Sequence, residues 1–400
     1  MIILQKERII KLSKEMEAEL ISIRRFLHKN AEIGFELNET VSFVKSKLEE
    51  YGCIYSDCGK NGIVCLIGKE NGKSILLRAD MDALPIEEKT ELEYACTNGN
   101  MHACGHDMHT SMLLGAAKIL KSVENDLNGQ AMLVFQPAEE LLSGAKNMLE
   151  NGLLSFSESQ SGFMLHVMSA LPIKSGTAIV ASAGVSAPGA DNFTINVQGI
   201  SSHGSMPQQG ADAILSASHI ISALEQICSR EIGLGDRAVL TIGKICGGTA
   251  ANIVSDSVTL QGTLRAFDEE LRSNIKKRIC EISQQVAVAY KTKACISFDN
   301  GCPTLINDET MSRFACEQLS ELLGKENVIF SNEMGSSFIG GSEDFSYVSH
   351  SIPSVMVALS AGEREKGYTY PQHHPRVCFD EEALPVGAAI YSYIAIKYLQ

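Results

Sequence analysis

The run MHACGHDMHTS, from Met101 to Ser111, is the densest group of chemically capable side chains in this 400-residue sequence. Cys104 and His106 flank Gly105, so a turn there can aim a thiolate and an imidazole at one point. That donor pair suits zinc and other borderline first-row metals. An ordinary helix start capped by Asp107 has no need of His102, His106 and His109, three of the ten histidines in the chain. A second group is Glu139-Glu140, after Gln136-Pro137. Adjacent acids at a helix start also complement the helix dipole. At a strand end, one could instead ligate a metal while the other handles protons at the attacking water. His166, His373-His374, and Asp80 with Asp82 complete the set. Alone, His166 fits a packed core histidine and His373-His374 a surface loop, but a two-metal site needs about this many donors.

Most of these residues follow short apolar runs. Ser74–Ala79 leads to Asp80, Ala131–Phe135 to the Glu pair, Gly162–Val167 contains His166, and Ser354–Leu359 precedes the loop with His373. Together with Gly62–Gly68, and alternating with helical stretches such as 108–120 and 145–149, these runs predict an α/β domain with a buried, partly parallel sheet. Ligands in such sheets bind beyond the carboxyl ends of the strands. Apolar spacing predicts helices over 5–29 and 38–51, the second capped by Asn38.

The middle of the chain changes character. Strands over 192–199, 238–246, 254–267 and 292–298, with helices over 211–228 and 269–290, give the order β-α-β-β-α-β of a ferredoxin-like α+β unit. We therefore expect an inserted satellite domain over 188–299, and a discontinuous catalytic domain over 1–187 and 300–400. His203, in GISSHGSMP, falls in the insertion, where a solvated histidine and a catalytic one fit equally well. The segment from Gly340 to Phe345 reads as a turn.

Composition narrows the partners. Lys and Arg total 34 against 48 Asp and Glu, a net charge of −14, so no basic stripe is available for nucleic acid or an anionic membrane. No apolar run approaches the roughly 18 residues of a membrane span, and the N-terminal stretch lacks the apolar core of a signal peptide. Twelve cysteines without a CxxC pair or regular spacing argue for reduced thiols and a cytoplasmic protein.

In seven places the sequence resembles the co-catalytic metallopeptidases that include aminoacylases and hippurate hydrolases, and in particular the branch of indoleacetyl-amino-acid and bacterial N-acyl-amino-acid amidohydrolases. The motifs are LRADMDALPIEE (Leu77–Glu88), MHACGHDMHTSMLLGAA (Met101–Ala117), FQPAEE (Phe135–Glu140), GISSHGSMP (Gly199–Pro207), GGTAANIVSD (Gly247–Asp256), GSEDFSY (Gly341–Tyr347) and HHPRVCFDEEALPVGA (His373–Ala388). The resemblance implies a zinc-peptidase-like catalytic domain with a mixed, largely parallel sheet, and a satellite that commonly mediates dimerisation. It also implies two divalent metal ions per subunit (Zn, Mn, Co or Ni), with Cys104, His106, Glu140, His166 and His373 as ligands and Glu139 as general base. His203 would hold the oxyanion, often in a partner subunit's site, and Asn252 and Arg265 would bind substrate. Asp80, Asp82 and Asp107 would orient ligands from behind. Two departures stand out: His28-Lys-Asn-Ala31-Glu32 replaces a His-x-x-Pro-Glu turn, and Asp80-Met-Asp82 replaces the wider family's His-x-Asp.

The resulting expectation is hydrolysis of small N-acylated amino acids by a metal-activated water, in a homodimer or higher homo-oligomer. A dipeptidase or carboxypeptidase using the same metals is the nearest alternative. A hydrolase with Cys104 as nucleophile would leave Glu140, His166 and His373 without work, and a non-catalytic binding protein would have no need for both glutamates.

Overall fold

The computed structural model describes residues 2–330 and 341–400, so the Gly340 end of the expected turn lies outside the described residues. These residues fall into two compact units. The first is built from Met1–Ser186, the stretch that begins at Ile306, and Asp344–Gln400; the second from Ala187–Leu305 with a short return ending at Glu343.

The first unit is organised around an eight-stranded mixed sheet. Its centre is four parallel strands, in the order Gln130–Gln136, Ser74–Asp80, Ser161–Met168 and Ser354–Ser360. Antiparallel strands Gly62–Gly68 and Ile54–Cys58 extend one side, and Ala178–Val180 and Val328–Phe330 the other. The sheet is thus mixed with a parallel core, as the apolar runs implied. Every residue of Ser74–Asp80, Gln130–Gln136 and Ser354–Ser360 is buried, which explains why these strands read as continuous rather than alternating hydrophobics.

Helix His106–Ser122 is buried along most of its length and packs against Glu17–Lys29 and Ala383–Tyr398. At Gly115 an added methyl group would stand 2.8 Å from Leu20 and 2.9 Å from Ala388, so small residues set this close approach. Among the described residues no helix is long and apolar enough to cross a membrane. All twelve cysteines are free thiols; six are buried, while Cys246 and Cys295 are exposed.

Three local expectations are corrected. The helix over 5–29 is two helices, Ile2–Glu15 and Glu17–Lys29, separated at Met16 (φ −89°, ψ −1°). Just before the break, the Ser13 hydroxyl donates to Ile10 O at 3.0 Å, a local bond of the kind that competes with a regular helix. Asn38 is the first residue of helix Asn38–Glu50 rather than its cap. The orphan amides of Glu39 and Thr40 instead donate to the Glu32 carboxylate at 3.2 and 2.9 Å. The strand over 254–267 is interrupted after Val254, where Ser255 Oγ bonds both the amide and the carbonyl of Ser257.

The second unit has the order β-α-β-β-α-β. Its four antiparallel strands lie in the order Ala238–Gly247, Ser257–Ala266, Gly189–Gln198, Lys293–Cys302. Helices Ala213–Gln226 and Glu269–Ala289 start at true side-chain caps, Asp212 and Asp268. They bury Ile220, Leu224, Ile275 and Ile279 with Phe193, Val197 and Leu260 of the sheet.

Candidate metal centre

The backbone explains how Cys104 and His106 come to face one point. Gly105 adopts φ +93°, and a Cβ there would overlap Val167 Cγ2 and stand 3.0 Å from Phe379 Cζ. Only glycine fits both the dihedral and the space. The helix that begins at His106 then carries Asp107 and His109 on its first turn.

Around this turn the donor atoms fall into overlapping groups of three, and two of these groups share Cys104 while together containing all five expected ligands. Cys104, His106 and His166 make one; Cys104, Glu140 and His373 make the other, and in each triad the donor atoms all lie within 4.8 Å of one another. Cys104 Sγ is 3.5 Å from His166 Nε2, and His373 Nε2 is 3.6 Å from Glu140 Oε1. Glu139 Oε2 and Glu140 Oε1 each lie 3.9 Å from His106 Nε2. All five expected ligands and the expected base therefore converge, although they come from four separate stretches of chain.

The histidine tautomers are set by the bonds behind them. His106 Nδ1 donates to Asp82 O at 2.8 Å and His166 Nδ1 to Val167 O at 2.8 Å, which leaves each Nε2 lone pair aimed into the cluster. Burial pushes His166 down to about 3, so it stays in the neutral form that ligates metal. Burial also opposes charge on His106, but Asp80, Cys104 and Asp82 outweigh it and raise that group well above its ordinary range. Burial, reinforced by Glu140, holds the Cys104 thiol far above its ordinary value, and burial lifts Glu140 to about 7. A thiolate and a carboxylate in so apolar a place need positive charge beside them. His106 Nε2 and Glu140 Oε1 are both buried without a normal hydrogen bond. This donor set, with those two atoms left unpartnered, fits divalent cations.

Asp82 accepts the amides of Glu139 at 3.0 Å and Glu140 at 3.1 Å, one on each oxygen, and so fixes the paired acids. Asp80 Oδ2 is 3.6 Å from His106 Nε2 and is held by Arg78 at 2.7 Å. Arg78 also donates to Gln136 and Asp344, which joins three segments behind the strand ends. Asp107 faces the other way, accepting from Arg24 Nε and His28 Nδ1, both at 2.8 Å, and His28 reaches Glu88 at 3.1 Å. His28, which the sequence assigned only to a turn, is thus part of a buried charged network under the helix.

In the second unit, His203 is exposed on a two-residue strand paired with Ile253. Its Nδ1 accepts the Ser205 amide at 3.2 Å, which leaves a proton on Nε2 to donate outward. The Gly204 amide donates to Asn252 O at 2.7 Å, bringing the His203 and Asn252 segments together. Arg265 lies apart from them on the Ser257–Ala266 strand, opposite Ala190, and donates to the Thr263 hydroxyl and to Leu264 O. Sequence reasoning gave no role to His109, which it saw only as one of three clustered histidines, or to Asp344, seen only within a motif, and it passed over Arg78 and Gln372; Arg78 carried a signal, as a lone charge in an apolar strand.

The model of peptidase family M20/M25/M40 matches residues 76–397 of this chain. The chain is 36% identical over 394 residues to IAA-amino acid hydrolase ILR1-like 2 of Arabidopsis thaliana, covering 97% of this chain and 87% of that protein. It is 37% identical over 393 residues to N-acetyl-L-cysteine deacetylase of Bacillus subtilis, covering 96% and 89%. Among solved structures, a putative aminohydrolase from methicillin-resistant Staphylococcus aureus superposes with a TM-score of 0.89 at 31% identity, covering 99% of this chain and all of that one (100%). The Bacillus subtilis YXEP protein, described as a dinuclear metal binding peptidase, superposes with a TM-score of 0.78 at 31% identity, covering 96% and 99%.

Proposed function

The chain belongs to peptidase family M20/M25/M40, and from that premise we propose that it hydrolyses the amide bond of small N-acylated amino acids at a centre of two divalent cations. The observation that carries this reading is the pair of donor triads sharing Cys104, with Glu139 alongside. Cys104, His106 and His166 would hold one cation and Cys104, Glu140 and His373 the other; zinc, manganese, cobalt and nickel all suit these donors.

Bound there, the cations supply the charge that acidifies a water and polarises the scissile carbonyl. Glu139, its backbone fixed by Asp82, accepts a proton from the attacking water and returns it to the leaving amine nitrogen. His203 offers an Nε2 proton to the developing oxyanion. Asn252 and Arg265 would hold the substrate's polar groups, with Asp80 and Asp82 orienting the residues around the metals, while Asp107, which faces Arg24 and His28, would anchor the helix that carries His106. We further propose that 188–299 is the satellite domain through which two copies associate, and that the protein works in the cytoplasm, where its twelve unframed cysteines stay reduced.

The test is a panel of N-acetyl, N-benzoyl and N-indoleacetyl amino acids beside dipeptides, assayed with each metal supplied separately. Turnover of acyl-amino acids that chelation abolishes and metal restores is expected. Turnover confined to dipeptides would move the protein to the peptidases, and turnover indifferent to chelators would end the metal reading.

A further inference from the structure

The backbone of one residue, Val167, is tied to the first triad and to the turn that carries the second. The Val167 amide donates to His109 Nε2 at 2.8 Å, and its carbonyl accepts from His166 Nδ1 at 2.8 Å and from Gln372 Nε2 at 2.8 Å. His166 belongs to the first triad, and Gln372 directly precedes His373 of the second. His373 is a non-glycine residue at φ +64°, a conformation that persists only when its surroundings hold it. Its amide donates to Ala103 O at 2.9 Å, and Gln372 is the side-chain tie of this turn to the strand.

His109 is fixed in turn. Because its Nε2 accepts, its Nδ1 carries the proton and donates to Asp80 Oδ1 at 2.5 Å, while Arg78 holds the other oxygen of Asp80. His109 and Asp80 are both fully buried, so neither has water as an alternative partner.

We propose that His109 and Gln372 are positioning residues that clamp the Val167 backbone, one at its N–H and the other at its carbonyl, and so hold the two triads in register. His109 anchors the peptide that links His166 to Val167, while the Val167 carbonyl, in the next peptide, fixes the His166 tautomer that presents Nε2. Gln372 ties the strained His373 turn to the same carbonyl, so displacement of one triad is felt by the other. This inference rests on the two-cation reading above. Neither residue touches substrate or cation; each acts through the backbone of Val167.

The experiment is a Co(II) titration of the metal-free full-length protein, followed by the thiolate-to-cobalt and ligand-field absorption bands, with circular dichroism to verify folding. Wild type should bind two equivalents. Gln372→Met, which keeps the volume but cannot donate, should fold normally and weaken one equivalent by about 10- to 100-fold, the usual cost of losing an outer-shell partner. His109→Gln should alter the ligand-field bands as well as the affinity. Two equivalents bound by folded Gln372→Met with wild-type affinity and spectrum would overturn the clamp, whatever happens to the histidine variant. Fewer than two equivalents on wild type would instead sink the two-cation reading, and the clamp with it.

Discussion

Replacing Gly105 with alanine tests whether the Cys104-Gly105-His106 turn is shaped by space as well as by dihedral. At φ +93° an alanine carries the left-handed penalty of about 1–2 kcal/mol. Its methyl group would also overlap Val167 Cγ2 and press Phe379 at 3.0 and 3.2 Å. Val167 is fully buried and Phe379 nearly so, so neither can yield into solvent; forcing a methyl group into such a core costs about 1–3 kcal/mol more. A total of about 2–5 kcal/mol is less than the stability of most domains, so the protein should stay folded and relieve the strain at the turn. Displacing ligands by about 1 Å can cost 100-fold in rate. Gly99 is the matched control: it sits at φ +90° with nothing within 4 Å of an added Cβ. Gly99→Ala should therefore carry the dihedral penalty alone and leave metal binding intact. Measuring Co(II) affinity and turnover at saturating metal on both variants separates the two effects. If Gly105→Ala binds metal and turns over as well as Gly99→Ala, the close approach of Val167 does not shape the site and the reasoning is wrong.

Glu139→Gln should keep both metal equivalents and lose about 10²–10⁴-fold in kcat, since only proton transfer is removed; a near-normal rate would withdraw the base assignment. His203→Ala should lower kcat by about 10²–10³-fold with metal content unchanged. If it acts across a dimer, mixing His203→Ala with Glu139→Gln should restore partial activity, because one composite site per mixed dimer is intact. No recovery after verified subunit exchange argues for action within one chain or for no catalytic role, and a His203→Ala rate within a few-fold of wild type settles it as the latter. Arg24→Met leaves Asp107 and His28 as a buried pair without their cation, and should cost about 3–5 kcal/mol in urea unfolding. A loss below about 1 kcal/mol, the range of exposed pairs, would show that the network is hydrated.

The parts of the site that could be read from the sequence are those restricted to few residue types. A ligand must be His, Cys, Asp or Glu, and a parallel strand buried on both faces must be a short apolar run. Asp80, the Glu139-Glu140 pair and His166 could therefore be placed at strand ends from sequence alone. The strands Ala178–Val180 and Val328–Phe330, the last two on one side of the sheet, are three residues each, too short for any period to show. Capping escaped for another reason: Glu32 reaches the helix start from outside it, and local rules favoured Asn38. The positioning residues are harder still, because a peptide group can be held by almost any donor or acceptor. His102, His106 and His109 look alike in one eleven-residue run, yet their roles separate through partners brought from elsewhere in the chain. His106 turns on the Asp82 carbonyl, His109 bridges Val167 and Asp80, and burial lowers His102 to about 3 with neither ring nitrogen hydrogen-bonded. His106 and His109 therefore do different things because residues 24 to 58 positions away in sequence arrive at the same turn, from Asp82 through Asp80 to Val167.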